Sequence, residues 1–277
     1  MSGERDHAHS RGRVWLEALS GETGVVPNGP NSVLKADAAL GEETVRFLAV
    51  VPDPANRFPR ARNGEVGLEE GWTLAKYVRG TIAADRGRAP RPIVAIVDVP
   101  SQAYGRREEL LGLHLACAAA VDAYATARMA GHPIVALLVG KAMSGAFLAH
   151  GYQANAIIAL DDPDVLVHAM GKAAAARVTK RSVEDLDALG ETVTPMSYSI
   201  RNYAKLGLLR KVISGVNADA PDKAHVEGVR AELIEAIAAA RRDPKDLSNR
   251  LDSEPARKTR HASIEVRRLL TEQWPSL

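Results

Sequence analysis

The chain has 277 residues, 46% hydrophobic and 25% charged, with a formal net charge of +2 at pH 7. That length allows one large domain or two small ones around a sizeable core. Interspersed acids and bases argue against a nucleic-acid binder built on a concentrated basic face, and a single cysteine, Cys117, excludes an intramolecular disulfide framework and fits a reducing, cytoplasmic setting.

In chain order, "MSGERDHAHSRGR" is polar and lacks the apolar core of a signal peptide. No apolar run approaches the roughly 20 residues that span a bilayer, so neither a membrane nor a nucleic acid is expected as a partner. Residues 1–40 show little regular pattern and read as an N-terminal extension, with a short helix at "GRVWLEALSG" and a loop at "GVVPNGPNS". From Thr44, "TVRFLAVVPD" predicts a buried strand stopped by Pro52. A helix follows at "LEEGWTLAKYV", with Glu69 and Glu70 in its first turn, where carboxylates suit the macrodipole. "PIVAIVDVP" is a continuous apolar strand ending at Asp98 and Pro100. The helix after it, Arg107 to Met129, places Leu110, His114, Cys117, Val121 and Tyr124 on one stripe. Further strands are predicted at "PIVALLV", "NAIIAL" and, briefly, "DVLVHAMG". Helices are expected at "SVEDLDAL", "MSYSIRNYAKLG" and Pro221 to Arg242, the last stacking Val226, Val229, Leu233 and Ile237.

Repeated strand–loop–helix units with doubly buried strands predict a mainly parallel α/β sheet with right-handed crossovers. The expected division is one domain over 41–242 and a docking or extended tail over 243–277.

The chemistry centres on "ALLVGKAMSGAFLAHG", where a strand meets a helical pattern at Ser144. A nucleophile elbow needs glycines two positions either side of its serine, and Ala142 and Ala146 stand there instead. A looser hydrolase pairing of Ser144 with His168 stays open. The acid that would orient the histidine is not singled out among Asp161, Asp162, Asp164 and Asp219. Ser144 also suits a helix N-cap. The backbone offers more. Gly145 lacks a Cβ, and the amides of Gly145 and Ala146 fall in a first helical turn without intrahelical acceptors. A second donor loop, "DVPSQAYGRREE", ends the preceding strand, with Gly105 permitting an unusual turn. Amides from two such loops can hold an oxyanion, each worth a few kcal/mol of transition-state stabilisation. No CxxC, HExxH or paired-carboxylate spacing supports a metal, and no phosphate-binding glycine fingerprint appears.

The blocks "PIVAIVDVPSQAYGRREELLG", "HPIVALLVGKAMSGAFLAHGYQANAIIALDDPDVLVHAMGKAAAARVT" and "GEVGLEEGW" resemble the gamma subunit of malonate decarboxylase over most of residues 11–215. More distantly the pattern resembles the carboxyltransferase subunits of acyl-CoA carboxylases, with which it shares the crotonase/ClpP-like β/α spiral. That resemblance implies a subunit working with a homologous beta subunit, an acyl carrier protein and the transferase that loads it. It implies malonyl thioester as substrate, on a dephospho-CoA-derived arm carried by the partner, and no cofactor or metal on this chain. Decarboxylation leaves acetyl thioester and CO2, which some relatives hand to biotin and others release. The implied site residues are the amides near Gln102 and Ala103 and those of Gly145 and Ala146, with Ser144 positioning and His168 as a further polar group. Two alternatives stay open: a Clp-like serine hydrolase using Ser144 and His168, and a non-catalytic scaffold. The serine lies directly before Gly145, without the intervening residue of the Clp pattern.

Overall fold

Two antiparallel strands, β1 (Val33–Leu40) and β2 (Glu43–Val50), open the sheet through a tight turn in which Gly41 sits at φ +63°. The structure is a computed structural model and describes residues 10–24, 29–243 and 245–274. The polar start "MSGERDHAH" and part of the "GVVPNGPNS" loop lie outside the described residues. β3 (Ile93–Val99), β4 (Ile134–Met143), β5 (Ala156–Leu160), β6 (Val167–His168) and β7 (Lys211–Ile213) complete a seven-stranded sheet of order β1-β2-β3-β4-β5-β7. All pairings after β1–β2 are parallel. β3, β4 and β5 are buried on both faces, which is why they read as unbroken apolar runs.

β4 is the longest strand and has two neighbours on one side. Val135–Leu138 pair with β5, whereas Ala142 and Met143 pair with Val167 and His168 of β6. Its C-terminal end thus leaves the main sheet and carries the following turn to one rim. The departure begins at a register shift between Val97 and Val99. There the Asp98 carboxylate accepts the Lys141 amide at 3.0 Å and lies directly against Gly140, where any Cβ would strike it.

The helices in chain order are α1 (Arg11–Ser20), α2 (Leu68–Ala84), α3 (Arg106–Leu110), α4 (Leu113–Met129), α5 (Ser144–Ala149), α6 (Lys172–Thr179), α7 (Val183–Thr192), α8 (Ile200–Ala204), α9 (Lys223–Ala240), α10 (Glu254–Thr259) and α11 (His261–Gln273). The helix expected over Arg107–Met129 is two helices, broken where Gly112 adopts φ +87°. Its expected stripe differs as well. Leu110 and His114 face solvent, and the buried face is Ala116, Ala119, Ala120, Ala123, Tyr124 and Ala127. Small side chains bring α4 close to α2: a Cβ on Gly71 would lie 2.6 Å from the Ala116 carbonyl oxygen. The α9 stack matches its expectation, with Val229, Leu233 and Ile237 buried.

The stretch expected as an N-terminal extension supplies α1 and β1, and Trp15, Leu16, Leu19 and Leu34 belong to the main hydrophobic core. The Trp15 indole donates to the Ala218 carbonyl at 2.9 Å. Arg11, buried beside it, bonds Asp219, Asp162 and the Val139 carbonyl, which ties the chain's start to the ends of β4 and β5. At the other end the 243–277 stretch docks through α10. Ala256 is buried, Ser253 hydroxyl donates to the Gly207 carbonyl, and Arg250 donates to the Tyr152 carbonyl at 2.8 Å. No helix among the described residues is long and apolar enough to cross a membrane.

Candidate active site

The C-terminal ends of β3, β4 and β6 converge on one rim, and the site residues expected from the sequence divide there into two groups. Ser144, Gly145 and Ala146 open α5 directly after β4, and His168 lies beside them because its Cα pairs with Met143. Gln102 and Ala103 occupy the loop after β3, whose backbone is held by Val66 from the "GEVG" loop. The Val66 amide donates to Ser101 oxygen at 3.0 Å, and the Ala103 amide donates to Val66 oxygen at 2.8 Å. The Ala103 amide is therefore committed to this bridge, which corrects the expectation that it serves a bound oxygen. What the loop brings to the rim is a side chain. Gln102 Oε1 accepts the Gly145 amide at 2.9 Å. Gly145 suits this approach, since a Cβ would come within 3.3 Å of that oxygen.

Gly105 is also corrected. Its φ of −177° is extended backbone that any residue adopts; the Glu108 carboxylate, not an unusual turn, is what fills the space a Cβ would take.

Ser144 is not the helix N-cap. Met143 holds that position, and Ser144 begins the helix at φ +56°, the left-handed region rarely used by residues with a Cβ. A residue there reverses the chain sharply at the strand's end, ahead of the Gly145 and Ala146 amides. Gly145 and Ala146 are the second and third residues of the helix, where amides have no intrahelical acceptor.

A cleft of about 480 Å³ runs from this turn, lined by Ser144, Gly145, Leu148, Tyr152, His168 and Tyr203 among others. Its walls are mainly apolar. His168 stacks on Tyr198 with ring centroids 4.0 Å apart, and its Nδ1 lies 3.0 Å from Met170 oxygen and 3.2 Å from Met170 nitrogen. Burial holds the imidazole pKa below its ordinary value despite the Met170 contact, so the ring is neutral at pH 7. Beneath α5, the fully buried His150 accepts the Tyr124 hydroxyl at 3.0 Å on Nδ1 and donates from Nε2 to Ile96 oxygen at 2.9 Å. Burial lowers its pKa to about 4.

A serine–histidine–acid triad does not assemble here. Among the described residues, no hydrogen bond joins Ser144 to His168, and Nδ1 of His168 faces backbone atoms instead of a carboxylate. The acids left open by the sequence are engaged elsewhere: Asp161 with Arg201 and Ser214, and Asp162, Asp164 and Asp219 with Arg11. Lys172, nearby on α6, is paired with Asp187 at 2.6 Å.

The Gln102 side chain and the stacked Tyr198 are site features that sequence reasoning missed. Gln102 and Gly145 are 43 residues apart, and no local spacing signals their contact. Among the described residues, no cluster of three His, Cys, Asp or Glu side chains forms a metal-ligand set.

The mainly parallel sheet, with a central strand that leaves it to feed a left-handed turn over an apolar cleft, is the fold that the crotonase/ClpP-like resemblance leads one to expect. Transcarboxylase 12S shares that fold at a TM-score of 0.57 and 19% identity, over 77% of this chain and 37% of that one. The model of the malonate decarboxylase gamma subunit matches residues 61–274. A chain of the Pseudomonas malonate decarboxylase hetero-tetramer solved with coenzyme A is 59% identical at a TM-score of 0.91, covering 96% of this chain and 100% of that one. A chain of the Pseudomonas MdcD–MdcE hetero-dimer is 57% identical at a TM-score of 0.88, with the same coverage. The malonyl-S-ACP:biotin-protein carboxyltransferase of Malonomonas rubra is 34% identical over 234 residues, 82% of this chain and 76% of the relative. The chain belongs to the malonate decarboxylase gamma subunit family.

Proposed function

We propose that this chain, joined to a homologous beta subunit, decarboxylates the malonyl thioester of an acyl carrier protein. In that reaction the bond between the free carboxyl carbon and the methylene carbon breaks, and its electron pair moves into a thioester enolate. The carboxyl carbon departs as CO2, and a proton added at the methylene carbon then gives acetyl thioester. Two solved relatives belong to malonate decarboxylase assemblies, and the Malonomonas relative is named for the malonyl carrier thioester. The carrier's thioester arm, dephospho-CoA-derived, is substrate here and no part of this chain. The loading transferase completes the set of partners. With one cysteine, the chain suits a reducing cytoplasm.

The observation that carries the reading is the Ser144–Gly145 turn at the mouth of an apolar cleft. An enolate oxygen forms as the carboxyl group leaves. A fixed amide dipole aimed at it in a water-poor cleft stabilises it without reorganisation, a contribution of roughly 3 kcal/mol per donor. The Gly145 amide is the first donor and Ala146 the second, with Ser144 setting the turn. His168, neutral and stacked, shapes the wall beside them. Apolar walls favour loss of the carboxylate's charge as CO2, because burying a carboxylate costs more than burying a neutral product.

The test is reconstitution with the beta subunit and malonyl-loaded carrier protein, following CO2 and acetyl thioester. The complex turns over and the isolated chain does not. Full activity of the isolated chain, or none from the complex, overturns the reading. Gly145→Val in the assembled complex separates catalysis from scaffolding: a scaffold keeps its activity, whereas an amide donor loses at least about a hundredfold in kcat.

A further inference from the structure

The Gly145 amide does not wait empty for substrate; the Gln102 carboxamide oxygen already accepts it at 2.9 Å. We infer that Gln102 is a positioning residue, an internal carbonyl that the substrate must displace from the Gly145 amide, and that it weakens substrate and product binding without altering the chemical step. This inference rests on the decarboxylase reading above and concerns the same amide.

The placement is built and not incidental. On one side the Gln102 backbone is fixed by the bridge between Ser101–Ala103 and Val66, at 3.0 and 2.8 Å, and Tyr104 donates back to Gln102 oxygen at 2.8 Å. On the other side Gly145 presents no Cβ, which would crowd the oxygen at 3.3 Å. An amide N–H requires an acceptor, so the side-chain atom facing Gly145 is Oε1 and not Nε2.

A Gln carbonyl is chemically close to the carbonyl of a ground-state thioester. Exchanging one for the other leaves the number and class of hydrogen bonds unchanged, so the exchange contributes little to ground-state binding. An enolate oxygen carries charge, and charge-assisted hydrogen bonds are roughly twice as strong as neutral ones. The enolate therefore displaces Gln102 with a gain, while substrate and the neutral acetyl product do so without one. Interactions stronger in the transition state than in the ground state are those that raise kcat. Displacing Gln102 costs substrate, enolate and product the same hydrogen bond, so the surplus of the enolate over the thioester, and with it kcat, is unchanged, whereas substrate and product both bind more weakly.

The experiment uses the assembled complex and two readouts. In steady-state turnover of malonyl carrier thioester, Gln102→Ala frees the amide and lowers KM by about threefold to tenfold with kcat kept within about twofold. Gln102→Asn, one methylene short of Gly145, behaves like Gln102→Ala. Gln102→Glu offers a charged competitor and lowers kcat/KM by at least about tenfold. Calorimetric titration with acetyl carrier thioester gives the same comparison without chemistry: the product binds the Gln102→Ala complex about threefold to tenfold more tightly than the wild type. A fall in kcat of tenfold or more in Gln102→Ala overturns the inference, because it makes Gln102 a direct donor to the substrate. Unmoved KM and product affinity in Gln102→Ala overturn it as well. A wild-type complex that fails to turn over sinks the decarboxylase reading alone, and the titration then still decides the role of Gln102.

Discussion

Ser144 carries a backbone cost that a glycine would not, since its φ of +56° lies where a Cβ crowds the following carbonyl. Such strain, on the order of 1 kcal/mol, persists when surrounding structure holds it in place. Here the β4–β6 pairing at Met143–His168 and the buried Ala146 fix both flanks. Ser144→Gly thus keeps the fold within about 1 kcal/mol, whereas Ser144→Val loses about 2 kcal/mol or more, because a β-branched residue fits that region worst. Denaturant midpoints of the two variants check this. A fluorophosphonate probe leaves the serine unlabelled, as expected without a base and its acid; labelling lost in Ser144→Ala would restore the hydrolase alternative. The second residue-scale prediction concerns His150. Its folded pKa of about 4 lies below the ordinary 6.5, so between those values the unfolded chain binds a proton that the native chain refuses. Stability is full above pH 6.5, falls as the pH drops toward 4, and changes no further through this group below that. The loss is on the order of 3 kcal/mol. Urea denaturation across this range detects it, and His150→Gln, though less stable, loses this part of the slope.

At the scale of elements, the turn depends on how β4 leaves the sheet. Asp98 bonds the Lys141 amide and presses on Gly140, so Gly140→Ala forces the carboxylate away and shifts the strand end that carries Ser144 and Gly145. The expected outcome is a loss of about 1–3 kcal/mol, with kcat/KM of the complex falling at least about tenfold as the amide moves off its target. Adding Asp98→Ala removes the obstruction, and the double variant recovers part of the stability relative to additivity, which thermal unfolding measures. The same elements show what the sequence made legible. β2 through β5 were readable because burial on both faces writes a continuous apolar run. β1, "VLKADAAL", is an edge strand with a mixed burial pattern and left no such trace. In α4 the packing face is alanine, which permits close helix approach but barely contrasts with its surroundings, so larger residues misled the stripe. The Gly145 turn could be read locally. The commitment of Ala103 to Val66 and of Gln102 to Gly145 could not, since both depend on segments brought together only by the fold.

For the whole molecule, the question is whether residues 41–242 form a unit without the first 40. The packing says they do not. Trp15, Leu16 and Leu19 are buried in the core that also holds β3 and β4, and β1 covers the edge of β2 along its whole length. Removing them uncovers apolar surface and leaves a row of unpaired backbone groups on β2. Arg11 would also be lost from Asp162, Asp219 and the Val139 carbonyl, leaving acids at the β4 and β5 ends without their guanidinium. The acids left behind reach solvent, so this loss adds less than the uncovered apolar surface and the unpaired edge do. A chain starting at residue 41 is therefore expected to show no cooperative unfolding transition by circular dichroism. Trp15→Ala in the full chain loses about 3–5 kcal/mol, the usual range for emptying a large aromatic site. Because Val139 lies on β4, the strand that leads directly into Ser144, loss of the α1 anchor also loosens the strand that positions the site. Reconstituted activity should then fall in Trp15→Ala at temperatures where the intact chain is still fully folded. A truncated chain with an unchanged midpoint would return residues 1–40 to the status of an extension.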